Sequence, residues 1–157
     1  MSRILVVSDS HGVIEYMAQA VRDTMPEMVI HLGDCWPDGE KLRRLFPDLL
    51  IEQVPGNCDC RDEVHERLLI VEGKKIFICH GHDYCVKMSY TRFLQAALAK
   101  GADVALCGHT HRVCQDYYNG MAVLNPGTIG AQKLPNRPTY GIVEINGDKI
   151  NTEIWCL

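Results

Sequence analysis

Ile4-Leu5-Val6-Val7-Ser8-Asp9-Ser10-His11-Gly12 is the stretch that decides how the rest of the chain is read. Four consecutive apolar residues, three of them β-branched, read as a short buried strand. The strand runs straight into Asp9-x-His11, two side chains of metal-ligand type, and then into Gly12. Beyond the glycine, Val13, Met17, Ala20 and Val21 recur at helical spacing. Pro26 closes that helix, because proline lacks the N–H and clashes with the preceding turn. The unit is therefore strand, polar loop, helix.

Working outward, the same order returns. Met28-Val29-Ile30-His31-Leu32 is a second buried strand, ended by Gly33-Asp34. A helix is expected over 37–46, with Leu42, Leu45 and Phe46 facing inward. Residues 49–54 form a third strand, stopped by Pro55-Gly56 ahead of Asn57-Cys58-Asp59. The second half differs. Apolar runs over 67–71 and 74–79 flank Glu72-Gly73 as a hairpin. A helix over 89–100 carries Tyr90, Leu94, Ala97 and Leu98 on one stripe, and a strand follows over 103–107. Asn119-Gly120 joins runs 112–118 and 121–124, a strong hairpin signal. A last hairpin turns at Asn146-Gly147-Asp148. Parallel strands need covering helices, whereas hairpins build antiparallel sheet. The expectation is an α/β fold of two mixed β-sheets packed as a sandwich with flanking helices, a single domain over 1–157. The Pro-rich stretch at 134–138 reads as a loop.

Composition excludes several classes. The chain has 157 residues, 46% hydrophobic and 23% charged, which is ordinary for a globular domain. No apolar run approaches the ~20 residues of a membrane span. A formal net charge of −4 gives no general attraction for nucleic acid. The first nine residues turn acidic too soon for a signal peptide, so a cytoplasmic location with the eight cysteines reduced is expected. There is no Cys-x-x-Cys pair, and Cys79 and Cys107 lie in apolar runs as small buried hydrophobes.

The polar residues carry the chemistry. Each apolar strand ends in a Gly-containing loop that bears a metal-ligand side chain: Asp9 and His11, Asp34, Asn57, His80, and His109 with His111. Ligands of open α/β sheets gather outside the carboxyl ends of strands, and glycine lets such loops turn sharply. Taken alone, Asp-x-His is a common surface loop and Gly-Asp a common turn. Taken together, two carboxylates, one amide oxygen and four imidazoles exceed one tetrahedral site and suit two cations. Nitrogen and oxygen donors without thiolate suit Mn²⁺, expected first, or Fe, Zn²⁺, Ni²⁺ or Co²⁺. His31, inside a strand, reads as a core histidine. His65, in the charged run 61–67, reads as solvated. Asp59 could orient a neighbour by hydrogen bonding. His82 is a candidate for reaching substrate.

Asp9-x-His11, Gly33-Asp34, Gly56-Asn57, His80 and Gly108-His109-x-His111 together resemble the five-block signature of the calcineurin-like metallophosphoesterases, over residues 2 to about 155. The short length, Gly56-Asn57-Cys58-Asp59 and Asn125-Pro126-Gly127-Thr128 resemble the small YfcE-type phosphodiesterases of that superfamily. The resemblance implies the sandwich fold and a ligand partition. Asp9, His11, Asp34 and His111 would hold one metal, and Asp34, Asn57, His80 and His109 the other, with Asp34 bridging. It also implies hydrolysis of a small phosphate ester by a metal-bridging hydroxide, with His109 or His82 steadying the phosphoryl oxygens. Asn125–Thr128 would sit near the site. Many superfamily members place histidine directly after the metal-binding asparagine. Here that position is Cys58, which leaves the general acid undetermined. A rival expectation is a non-catalytic binding module of the same fold, as in the retromer sorting subunit. The loops at 84–92 and 131–138 are expected to line the cleft, and a homo-oligomer is left open.

Overall fold

The structure of the protein, a computed structural model, describes residues 1–130 and 137–157. The strands are β1 (Ser2–Val7), β2 (Met28–His31), β3 (Leu50–Gln53), β4 (Glu66–Val71), β5 (Lys74–Cys79), β6 (Val104–Leu106), β7 (Val113–Tyr118), β8 (Met121–Pro126), β9 (Thr139–Asn146) and β10 (Lys149–Cys156). The helices are α1 (Ile14–Thr24), α2 (Trp36–Leu45) and α3 (Thr91–Ala99), with a short 3-10 turn at His82–Tyr84.

The strands form two sheets, ordered β10-β9-β1-β2-β3 and β4-β5-β6-β8-β7. In the first, β1, β2 and β3 run parallel through the α1 and α2 crossovers, and the β9–β10 hairpin adds antiparallel strands on the other side of β1. In the second, β5, β6 and β8 are parallel, with β4 and β7 antiparallel at the edges. Both sheets are mixed, as the alternation of crossover helices and hairpins predicts.

The continuous apolar runs have two jobs, because side chains alternate across a sheet. From β1, Ile4 and Val6 meet Ile76, Ile78, Val104, Leu106 and Leu124 of the opposite sheet. Leu5 and Val7 point the other way, under α1 and α2, with Met17, Val21, Val29 and Leu42. A third cluster seals α3 onto the second sheet through Phe77, Phe93, Ala97, Ala105 and Val123. Each fully buried aliphatic side chain contributes roughly 1.5–3 kcal/mol, so both faces of the first sheet hold the strand ends rigid.

Two details differ from the helical spacing. Leu45 is 53% exposed rather than inward. It is the last residue of α2, and Phe46, just past the end, makes the packing contact instead. In α3 Phe93, which the expected stripe omitted, is as fully buried as Ala97. Residues 131–136 of the expected cleft loop lie outside the described residues. Among the described residues no helix is long and apolar enough to cross a membrane.

Candidate metal centre

Five strands end at one edge of the sandwich, and the loops that follow them carry the expected ligands. The turns are tight. Asp9, His11, Asp34, His109 and His111 all have positive φ, between 48° and 69°. Non-glycine residues pay roughly 1 kcal/mol or more for this conformation, so the surrounding contacts must hold it. Glycines let the loops approach. A Cβ on Gly56 would overlap the Asp34 carboxylate, and one on Gly108 would overlap the Ser8 hydroxyl.

Asp9 is fully buried, and its two oxygens face different ways. Oδ2 accepts the Ser8 hydroxyl at 2.6 Å and the His109 N–H at 3.2 Å. Oδ1 faces imidazole nitrogens, 3.1 Å from His111 Nε2 and 3.9 Å from both His11 Nε2 and His80 Nε2. Burial alone would raise the Asp9 pKa. The hydrogen bond from His111 and the charge of His80 outweigh it, bringing the carboxyl down to about 2. The same contact raises the pKa of His111.

His80 is also fully buried, and the backbone sets its tautomer. Its Nδ1 lies 2.7 Å from the Leu32 carbonyl, which can only accept, so Nδ1 carries the proton. In the neutral ring the Nε2 lone pair is then free. It points at Asp34 Oδ2, 3.5 Å away, and at His109 Nδ1, 3.1 Å away. Burial, followed by the neighbouring His80, lowers the His109 pKa to about 4. That ring is neutral at pH 7 and can act as a donor atom.

Two sets of donor atoms result, each within 4.8 Å: Asp9, His11 and His111, and Asp9, Asp34 and His80. Five of the seven expected ligands fall in these sets. His109 joins through its contact with His80. Asn57 stands exposed in the β3 loop, its Nδ2 3.6 Å from the Cys58 sulfur. Asp9 is the carboxylate common to both sets. Asp34 falls in one, with its Oδ1 accepting the Cys58 N–H at 3.1 Å. Buried carboxylates gathered with imidazole nitrogens are a donor arrangement suited to divalent cations.

A second layer of hydrogen bonds fixes the loops. Asp59 accepts from four backbone N–H groups: Asp34 at 3.1 Å, Cys35 and Trp36 at 2.8 Å, and Gly56 at 2.7 Å. It ties the β2 loop to the β3 loop. Thr128 donates to the Asp9 carbonyl at 2.7 Å, and Asn125 donates to Gly108 O and Thr110 Oγ1 at 3.0 Å. Asn125 and Pro126 are the last residues of β8. His31 is a satisfied core histidine: Nδ1 accepts the Gly33 N–H, so Nε2 donates to Ser10 Oγ at 2.9 Å.

Ser10 in turn donates to Asp38, a residue the sequence reading missed. Asp38 is fully buried and also accepts the Gly12 N–H at 2.7 Å. The signal was available: Asp38 stands four residues before Leu42, on the inward stripe of α2. Cys58 is exposed, and its thiol pKa is raised by partial burial and then by the Asp34 charge. His82 lies beside the centre, its ring 5.5 Å from that of His80 and 6.1 Å from that of His109. His65 is exposed as expected, yet it is not merely solvated, because its Nδ1 is 2.6 Å from Asp83 Oδ2. All eight cysteines are free, with Cys79 and Cys107 buried.

A family model described as the calcineurin-like phosphoesterase superfamily domain matches residues 2–148. The chain is 30% identical over 156 residues to a probable metallophosphoesterase, YsnB, of Bacillus subtilis (strain 168), covering 97% of this chain and 89% of that protein. Among solved structures, a predicted phosphoesterase from Streptococcus pneumoniae TIGR4 superposes with a TM-score of 0.82 at 24% identity, covering 99% and 89% of the two chains. Vps29 of Entamoeba histolytica complexed with Zn²⁺ superposes with a TM-score of 0.75 at 19% identity, covering 98% of each chain. At these identities the two structures establish the likeness of fold.

Proposed function

The chain belongs to the calcineurin-like phosphoesterase superfamily, and from that premise we propose that it is a metal-dependent phosphodiesterase acting on small phosphate esters. The observation that carries this reading is the pair of donor sets built around the buried carboxylates Asp9 and Asp34. Asp9, His11, Asp34 and His111 hold one divalent cation, and Asp34, Asn57, His80 and His109 the other, with Mn²⁺ the first ion to test. When bound, two such cations supply Lewis acidity to a phosphoryl group and acidify a water.

The chain's own residues prepare the rest. Leu32 O keeps the proton of His80 on Nδ1, leaving Nε2 as a donor. Ser8 and the His109 N–H hold Asp9 Oδ2, so that Oδ1 faces the centre. Asp59 fixes the loop that presents Asp34 and Asn57. His109, neutral at pH 7, stands where it can steady a phosphoryl oxygen. Beside this loop a cavity of about 480 Å³ is lined by Lys87, Tyr90, Thr110 and Arg112 among others, a place for the ester's organic arm. Val86, Lys87 and Tyr90 supply one wall of this cavity.

The test is a panel of aryl diesters, monoesters and cyclic nucleotides assayed after metal removal and after Mn²⁺ loading. The expected result is close to two metal equivalents per chain and diesterase turnover that chelation abolishes and Mn²⁺ restores. A folded protein that binds no metal, or binds it and turns over no ester, would favour the binding-module reading instead.

A further inference from the structure

The β4–β5 hairpin pairs Glu66 with Cys79. That register sets His65, one residue ahead of β4, beside the turn His82–Tyr84 that follows β5. Three side chains of metal-ligand type meet there. His65 Nδ1 is 2.6 Å from Asp83 Oδ2, His82 Nε2 is 3.6 Å from Asp83 Oδ1, and the two imidazole rings are 5.2 Å apart. One donor atom from each lies within 4.8 Å of the others. The His82 ring makes no hydrogen bond to a described residue. Its Nδ1 is buried without a partner, and Nε2 stands beyond hydrogen-bonding reach of Asp83. Buried polar atoms are ordinarily satisfied, so this ring has capacity in reserve.

We propose that His65, His82 and Asp83 form a third divalent-cation site, at the rim of the dinuclear centre, which takes Zn²⁺. Two imidazoles and one carboxylate suit a borderline cation better than Mg²⁺ or Ca²⁺, which prefer oxygen alone. Zn²⁺ also binds such donors more strongly than Mn²⁺. Three protein ligands leave a fourth tetrahedral position for water or a substrate oxygen. The site is open: the His65 and Asp83 side chains are 46% and 52% exposed. It is therefore weaker than the buried pair and loads last. Its place is set by His82, whose ring is within 6.1 Å of those of both His80 and His109. The proposal does not depend on phosphoesterase activity, because its readout is the count of bound metal.

Metal-free full-length protein, dialysed against graded free Zn²⁺, is compared with His65→Ala, His65→Gln and Asp83→Asn. The wild type should saturate at about three zinc ions per chain and each variant at about two. With Co²⁺ as the probe, the visible absorption of the last-loading ion should be present in the wild type and lost in the variants. His65 and Asp83 lie outside the core, and far-ultraviolet circular dichroism confirms that each variant is folded. A wild type that saturates at two, or variants that keep the third ion, would overturn the proposal. A wild type that binds one zinc, lost in His65→Ala, would support this site and remove the dinuclear reading. Two zinc ions retained unchanged in every variant would do the opposite.

Discussion

The two donor sets share Asp9 but live in different solvents. On one side Asp9 and His80 have no exposed side-chain surface and Asp34 only 5%. On the other, His11 and His111 are 41% and 48% exposed. The buried side is oriented before any cation arrives. Ser8 and a backbone N–H hold Asp9, the Leu32 carbonyl holds His80, and the Cys58 N–H holds Asp34. On the exposed side, His111 leans on Asp9 at 3.1 Å, and the polar partners of His11 among the described residues are that imidazole and, at 3.9 Å, Asp9. The difference teaches where the energy of the site resides. Buried donors are costly to leave unmatched, so they are pre-positioned and sensitive, while the exposed ones can adjust to the ion.

The largest effect should come from the buried carboxylates. Asp34→Asn and Asp9→Asn each remove a negative charge from the donors that face the cations and should lower kcat/KM by on the order of 10³-fold or more. His11→Asn, on the exposed side, should cost clearly less. Metal titrations of the two Asp variants sharpen the comparison. If Asp34 bridges, Asp34→Asn weakens both ions while Asp9→Asn chiefly weakens one. The reverse ranking would assign the bridge to Asp9, the carboxylate common to both sets here. Equal losses at His11 and at the carboxylates would break the distinction between buried and exposed donors.

Next in size is Gly56→Ala. The added methyl would collide with the Asp34 carboxylate and its backbone N–H, neither of which can retreat while Asp59 and Cys58 hold the loop. A loss of about 3 kcal/mol in unfolding free energy is expected, measured by urea denaturation of the metal-free protein. Gly12→Ala is the control for strain without collision, because no described residue lies within 4 Å of its Cβ position although its φ is +88°. It should cost less.

Asp59→Ala follows. It leaves four N–H groups without their acceptor yet touches no cation, so metal affinity should fall about 10–100-fold, with a stability loss of roughly 1–3 kcal/mol. Isothermal titration with Mn²⁺ reads the first and denaturation the second. An unchanged affinity would mean that the two loops hold their positions without this carboxylate.

These same residues mark how far the sequence could be read. Strands, crossover helices and the strand-end position of Asp9, Asp34, His80, His109 and His111 follow from local pattern, because period and turn chemistry are local. Asp59 was readable as an orienting carboxylate, but not that it captures four N–H groups from two loops. Asp38 and the chain from His31 through Ser10 to it went unread. Such contacts depend on which segments the sheet order makes neighbours. The partner of His65 went unread for the same reason: Asp83 is eighteen residues away, across a hairpin whose register the sequence pattern only implied.

The smallest effect is expected at Cys58, where a histidine would have made a competent acid near neutral pH. Partial desolvation, and after it Asp34, Asp59 and Asp9, raise the pKa of this thiol, so the proton stays on sulfur in the metal-free protein. A protonated thiol is still a weak hydrogen-bond donor, and bound cations would draw it toward thiolate, which donates nothing. Help to the leaving group should therefore be slight. Cys58→Ala should change the hydrolysis of an aryl diester by no more than about threefold, well under the 10²–10⁴-fold of an effective general acid. Alkyl diesters, whose leaving group needs a proton, should be poor substrates for the wild type, and Cys58→His should improve them. The measurement is rate against leaving-group pKa for the wild type and both variants. A shallow dependence in the wild type that steepens in Cys58→Ala would show that the thiol delivers a proton, and that the open side of the site does chemistry its exposure gives no reason to expect.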